Sequence, residues 1–154
     1  MSPAAAATPL QIWQDVSRIG VQCVVAAAQS DLRQALQASI CDRVRSLAMP
    51  GAPAPLDIIP IGDPAILAPG TVTLLVHASA EPVPGGQLVA FTIRPFRAAA
   101  EQTTVLYGAA PRAATLQNSG ALNEALDAAL GTALSETLPW LGRRRSRPLD
   151  PAGS

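Results

Sequence analysis

The sequence contains a single histidine, His77, which is the side chain best suited to acid–base chemistry near neutral pH. A hydrolytic triad would need His77 within hydrogen-bond reach of a nucleophile and of an acidic group that orients the ring. No G-x-S-x-G segment supplies a nucleophile elbow, and "VPGGQ" lacks the lysine and the following helix of a phosphate-binding loop. We therefore interpret His77 as a surface residue on the polar side of a strand.

The carboxylates are dispersed along the chain at turns, in a loop and on a helix face, at Asp57, Asp63, Glu101, Glu124 and Asp127. A pair that shares acid–base work must converge in a cleft with its carboxyl groups about 5 to 10 Å apart. Solvated charges are the simpler interpretation. An alternative hypothesis is a small hydrolase or transferase whose site forms around His77 and a carboxylate from the proline-rich connection.

Cys23 and Cys41 are the two cysteines of the sequence. Cys23 belongs to the apolar face of a predicted strand, whereas Cys41 lies on the flank of a predicted helix stripe, roughly 120° from its centre. A disulfide needs Cα atoms about 4.4 to 6.8 Å apart, which a strand and a helix packed on it can provide. A disulfide and two buried thiols both remain open. With His77 these residues are too few and too scattered for a zinc site, and the sequence predicts no metal and no cofactor.

All 11 basic residues are arginines, and 11 acidic residues balance them, so no overall charge attracts the chain to nucleic acid or to an anionic membrane. Arg94, Arg97 and Arg112 lie on or beside neighbouring predicted strands and could converge on an anion or a partner carboxylate. With His77 they are the candidate binding residues. Charges that keep strand edges apart are the other interpretation. A nucleic-acid partner is not expected, because strand surfaces that read RNA stack bases on exposed aromatic side chains and aromatics make up 3% of this chain.

The two ends of the chain differ in composition from the part between them. Residues 1–10 contain Ala5-Ala6-Ala7 before Thr8-Pro9, which resembles the cleavage site of a signal peptide without its basic and apolar regions. This pattern favours a periplasmic or secreted protein; a plain disordered N-terminus in a cytoplasmic protein is the alternative. Residues 142–154 hold four arginines and two prolines and predict a disordered tail. A cytosolic anion or nucleic-acid binder that uses this tail is a further alternative. No apolar run is long enough to predict a transmembrane helix.

Hydrophobic periodicity predicts seven segments between the two ends. Alternation indicates strands, and a stripe at three- and four-residue spacing indicates helices. The short segment 56–61 contains Pro60, so it is an edge strand or no strand. The segments are a strand at 18–27, a helix at 29–48, the short piece at 56–61, strands at 71–80, 87–96 and 103–111, and a helix at 118–140.

This order, β-α-(β)-β-β-β-α, predicts an α+β domain over residues 11–141. Each strand has one apolar face and each helix one apolar stripe, so the simplest arrangement is a two-layer sandwich. Two helices would cover one face of a mostly antiparallel sheet of four or five strands. The other face would carry Thr73, His77, Thr92 and Arg94 and would meet water or a protein partner. The sequence therefore favours a non-enzymatic interaction or accessory domain of the bacterial cell envelope.

Overall fold

A computed structural model describes residues 12–98, 110–117 and 122–142. Within these ranges the chain forms five strands and two main helices, with a 3₁₀ turn between β2 and β3 and a short third helix after the second main helix. The strands are β1 (Arg18–Ala26), β2 (Leu56–Ile58), β3 (Thr71–Val83), β4 (Gly86–Phe96) and β5 (Arg112–Gln117). The helices are α1 (Ser30–Ala48), α2 (Leu122–Thr137) and α3 (Pro139–Gly142), and the 3₁₀ turn is Pro64–Leu67.

The strands form one mixed sheet in the order β2-β1-β3-β4-β5. Strand β1 runs parallel to both β2 and β3, and β3, β4 and β5 form an antiparallel meander. The predicted α+β sandwich is confirmed; its sheet is mixed and not purely antiparallel, because β1 pairs in parallel with both of its neighbours. The reason is the helix between β1 and β2: a helical crossover returns the chain to the end where it started, so the next strand runs in the same direction.

The predicted segments agree with the observed ones except near the third meander strand. The short piece after the first helix forms the edge strand β2, which ends before Pro60. Most of the strand predicted at 103–111 lies outside the described residues, and the last strand observed is β5, at Arg112–Gln117. The predictions for residues 1–10 and for the arginines after Gly142 also fall outside the described residues.

The core lies between the two helices and the inner face of the sheet. Alternate residues of the strands point into it, as with Val21, Leu74 and Ile93, each of which is fully buried. From Leu126 onward, the four-residue leucine repeat lies on the core side of α2, and α1 contributes apolar residues such as Ile40. The core is almost entirely aliphatic, so folding is driven by the burial of many small apolar surfaces. Each Å² of apolar surface buried contributes roughly 25 cal/mol.

The outer face of the sheet is covered over only part of its length. Near the start of β3, Thr71 and Thr73 are buried, and Ile59 packs over Gly20. Towards the other end of β3 the face is exposed. We call this region the open half; its exposed residues are Val24, Ala26, His77, Ser79, Glu81, Leu88, Ala90, Ala113 and Thr115. No helix in the described part of the chain is both long and apolar enough to cross a membrane.

Candidate interaction surface

Cross-strand rows build the open half. Strand registers place Val24 beside His77 and Thr92 in one row, and Ser79 beside Ala90 and Ala113 in the next. Glu81, Leu88 and Thr115 form a third row. Side chains in a row stand about 5 Å apart, so these small residues make a flat surface with little charge. A partner can pack on such a surface without many ionised groups losing their contact with water.

His77 borders a shallow depression of about 290 Å³ on the open half. Ser79, Thr92, Ala90 and Pro111 also line the depression, and the described residues of its lining include no aspartate or glutamate. The arrangement offers a ring nitrogen and two hydroxyl groups to a partner, but no acidic group from the described lining to orient the ring.

The carboxylates of the proline-rich connection lie elsewhere. Asp57 is in register with Gly20 and lies 3.7 Å from the Arg18 guanidinium. In that row β3 contributes Thr73, four residues before His77, or about 13 Å along the strand. Asp63 accepts a hydrogen bond of 2.9 Å from the amide of Ala65. In the described ranges, no three His, Cys, Asp or Glu side chains cluster as metal ligands would.

The three candidate arginines do not converge. Arg94 lies on β4 opposite Leu75, on the outer side of the sheet. Arg112 lies opposite Phe91, on the inner side, where its guanidinium donates to Glu136 of α2. The predicted convergence on one anion is therefore excluded by the sheet itself, which separates Arg94 from Arg112.

Arg97 instead holds the chain before β1. Its Nε donates to the carbonyl of Pro69 at 2.9 Å, and its Nη1 donates to the carbonyls of Ile12, at 3.1 Å, and Gln14. These acceptors are backbone carbonyls in two connecting segments. The spacing of side chains in the sequence therefore could not predict these hydrogen bonds. This guanidinium has a structural role.

Cys23 and Cys41 form a disulfide that joins β1 to α1, with Cα atoms 5.8 Å apart. Both residues are almost fully buried. The sequence left this pairing open because Cys41 stands off the centre of the helix stripe. In the structure α1 crosses β1 so that this flank faces the strand, and Cys41 becomes part of the core.

A second concavity, which the sequence did not predict, lies beside the disulfide. We call it the edge groove: it has a volume of about 340 Å³ and separates α1 from the segment Ile58–Ile61. Its walls are mainly apolar, and Gln34, Gln37 and Asp42 of α1 supply its polar groups. The sequence signal for it is the apolar run "IIPI" after a strand, interrupted by a proline that ends pairing.

No protein-family model and no curated protein matches this chain. Among solved structures, it is similar to the dodecamer of a PelC point variant from Paraburkholderia phytofirmans, with a TM-score of 0.51, 14% identity, and coverage of 80% of this chain and 90% of that chain. A second PelC dodecamer structure from the same organism matches with a TM-score of 0.49 and 14% identity over 79% of this chain and 89% of that chain. A crystal structure of an uncharacterized protein matches with a TM-score of 0.40 and 14% identity, over 84% and 93% of the two chains. At 14% identity, the likeness to the PelC variant with a TM-score of 0.51 shows a similar fold alone.

Proposed function

We propose that this chain is a non-enzymatic domain of the bacterial cell envelope that acts by binding another protein through the open half of its sheet. The observation that carries the proposal is the asymmetry of the sheet. Helices cover the inner face, whereas small, mostly uncharged residues form an exposed surface across four strands of the outer face. Sheets commonly bury such faces against a second layer, which here a partner would supply.

The disulfide supports export. Disulfides persist in the periplasm and outside the cell, whereas reducing systems keep most cytosolic thiols free. A domain that joins its first strand to its first helix through Cys23 and Cys41 suits an oxidising compartment.

The surroundings of His77 support a binding role over catalysis. General acid–base work needs a group within hydrogen-bond reach that orients the imidazole or receives its proton. Among the described residues, the depression beside His77 is lined by hydroxyl groups but by no carboxylate.

A second copy of this chain is the first partner to test, because the similarly folded PelC variant is a dodecamer. Two sheets that pack face to face lie about 10 Å apart and need small side chains or good interdigitation between them. Ala90, near the middle of the open half, meets this requirement.

A photo-reactive amino acid placed at position 90 tests the proposal in the native host. Position 35, an exposed alanine on α1, is the matched control. We expect a discrete cross-linked protein adduct from position 90 and none from position 35. The adduct mass and its peptides then show whether the partner is a second copy. Equal labelling from the two positions, or no adduct from position 90, would refute the proposal.

A further inference from the structure

The middle row of the open half consists of small side chains. Ser79 lies beside Ala90, and Ala113 lies next to Ala90 on β5. All three residues are exposed. Because none of them extends far from the backbone, a second sheet can approach this row to the usual spacing of about 10 Å between packed sheets. The middle row therefore suits a partner that also presents a flat sheet.

A basic and an acidic group lie on opposite sides of the middle row. On β3, His77 stands two residues before Ser79 and Glu81 stands two residues after it, so both share the outer face. Both side chains are exposed. They lie about 13 Å apart along the strand, too far to contact each other. Within the described ranges, neither side chain makes an ion pair or a hydrogen bond.

A twofold axis that crosses the strands over the middle row would bring these two groups together. Rotation about this axis lays β3 of one copy on β3 of a second copy in the opposite direction. Ser79 then faces Ser79 and Ala90 faces Ala90, whereas His77 faces Glu81 of the second copy. An imidazole N–H can donate to a carboxylate, and these two side chains can meet across about 10 Å. Symmetry makes the contact twice, as in any twofold interface.

The shape of the open half fits the same arrangement. Leu88 is 38% exposed and lies beside Glu81 in the third row. The rotation places it over Thr92 of the second copy, because both residues belong to β4 and lie on opposite sides of the middle row. Thr92 and His77 line the depression of about 290 Å³. The exposed leucine of each copy therefore lies over the depression of the other.

An axis that runs along the strands fits the charges less well. If this axis lay over β3, His77 would face His77 and Glu81 would face Glu81. If it lay between β3 and β4, Glu81 would face Leu88 and His77 would face Thr92. Like charges in contact weaken an interface, and a carboxylate against leucine loses water without gaining a partner. The positions of His77 and Glu81 thus favour the axis that crosses the strands.

From these features we infer that the open half binds a second copy of this chain face to face, with His77 of each copy paired to Glu81 of the other. The inference rests on the proposed function and names its partner. Three rows across four strands cover roughly 400 Å² of each copy, about half of a standard interface. The dimer is therefore weak and reversible, and the two polar contacts determine its orientation.

Sedimentation equilibrium of the intact, oxidised protein tests for this dimer. We expect a reversible change from monomer to dimer as the protein concentration rises into the millimolar range. Ala90→Arg places two guanidinium groups against each other at the axis and should weaken the dimer at least about tenfold. Ala35→Arg, at an exposed position on α1, is the matched control and should leave the dimer unchanged.

An exchange of charges gives a readout that lost folding cannot imitate. His77→Glu sets two carboxylates against each other twice and should weaken the dimer at least about tenfold. Adding Glu81→Arg to His77→Glu should restore the dimer to within about threefold of its original affinity, because each glutamate then meets an arginine. Adding Thr115→Arg to His77→Glu is the control. Thr115 lies in the same row as Glu81 but two strands away, on β5, and should not restore the dimer.

Three results would overturn the inference: no self-association, a dimer unaffected by Ala90→Arg, or equal affinities with Glu81→Arg and Thr115→Arg in the His77→Glu protein. The cross-linking experiment at position 90 separates this failure from failure of the proposed function. A cross-link to a different protein, without self-association, would refute the second copy and leave the proposed function intact. No adduct at position 90 together with no self-association would refute both.

Discussion

The Cδ1 atom of Ile59 occupies the space where a side chain at Gly20 would stand: a Cβ on Gly20 would lie 2.2 Å from that atom and 2.8 Å from Cγ1. Ile59 is 1% exposed, so it has little room to move away. We predict that Gly20→Ala lowers the free energy of unfolding by about 1 to 3 kcal/mol, the usual cost of overpacking. Urea unfolding measures this change.

Gly131 provides the contrast, because nothing lies within 4 Å of a Cβ placed there in the middle of α2. Gly131→Ala should raise the free energy of unfolding by roughly 0.5 to 1 kcal/mol.

In the Gly20→Ala background, Ile59→Ala should lower the free energy of unfolding by less than it does alone, since the smaller residue removes the clash. Additive costs would show that the two residues do not compete for space.

The disulfide restrains the first part of the chain. Replacing both Cys23 and Cys41 with alanine should lower the free energy of unfolding by about 3 kcal/mol, because the bond closes a loop of sequence separation 18. Intact mass of natively expressed protein should rise by two hydrogens on reduction. Equal masses before and after reduction would contradict the bond and weaken the case for export.

The hydrogen bonds of Arg97 hold residues Ile12–Asp15 beside the end of the segment that connects the 3₁₀ turn to β3. Arg97→Lys keeps the charge, but a single ammonium group cannot reach the carbonyls of Pro69 and Ile12 as the planar guanidinium does. We expect a loss of about 1 kcal/mol and faster hydrogen exchange at the amide of Ser17, which donates to Gly70. Arg33→Lys, an exposed position on α1, should change neither value. Unchanged exchange at Ser17 in the Arg97 variant would argue against this role.

Trp140 ties the end of the described chain to α1. Its indole Nε1 donates to the carbonyl of Ala48 at 2.8 Å, and its ring meets Trp13 edge-on with centroids 5.0 Å apart. Carbonyls in the last turn of a helix lack partners within the helix, so Trp140→Phe leaves that of Ala48 without its indole donor. The free energy of unfolding should fall by about 1 to 2 kcal/mol. Trp13→Tyr retains an aromatic ring and should lower the free energy of unfolding by less. A larger loss from Trp13→Tyr than from Trp140→Phe would show that the ring contact, rather than the hydrogen bond, provides the stability.

The sequence predicted the layers better than the directions of the strands. Alternation correctly placed Val21, Leu74 and Ile93 in the core, because side-chain orientation along a strand has a period of two whichever way its neighbour runs. For the same reason it did not distinguish a parallel β1 from an antiparallel one. The helix between β1 and β2 was the available signal for parallel pairing.

The candidate site was harder to predict, because its geometry depends on atoms without a sequence signature. Arg97 binds backbone carbonyls, which every residue carries. Arg112 reaches Glu136, a pairing set by how α2 lies across β5. The edge groove exists because β2 ends early, and strand ends are among the least predictable features of a sequence. His77 was placed on the exposed outer face as expected.

The position of β1 between β2 and β3 has a consequence for biosynthesis. Arg18 pairs with Thr71 and Ala26 with Ser79, so β1 leaves the ribosome long before the strand that completes its pairing. Until β3 has been translated, only α1 and the short β2 can cover the apolar side of the nascent β1. The disulfide between Cys23 and Cys41 requires no residue beyond α1. It would therefore hold α1 on β1 before the C-terminal part of the chain has been added to the fold.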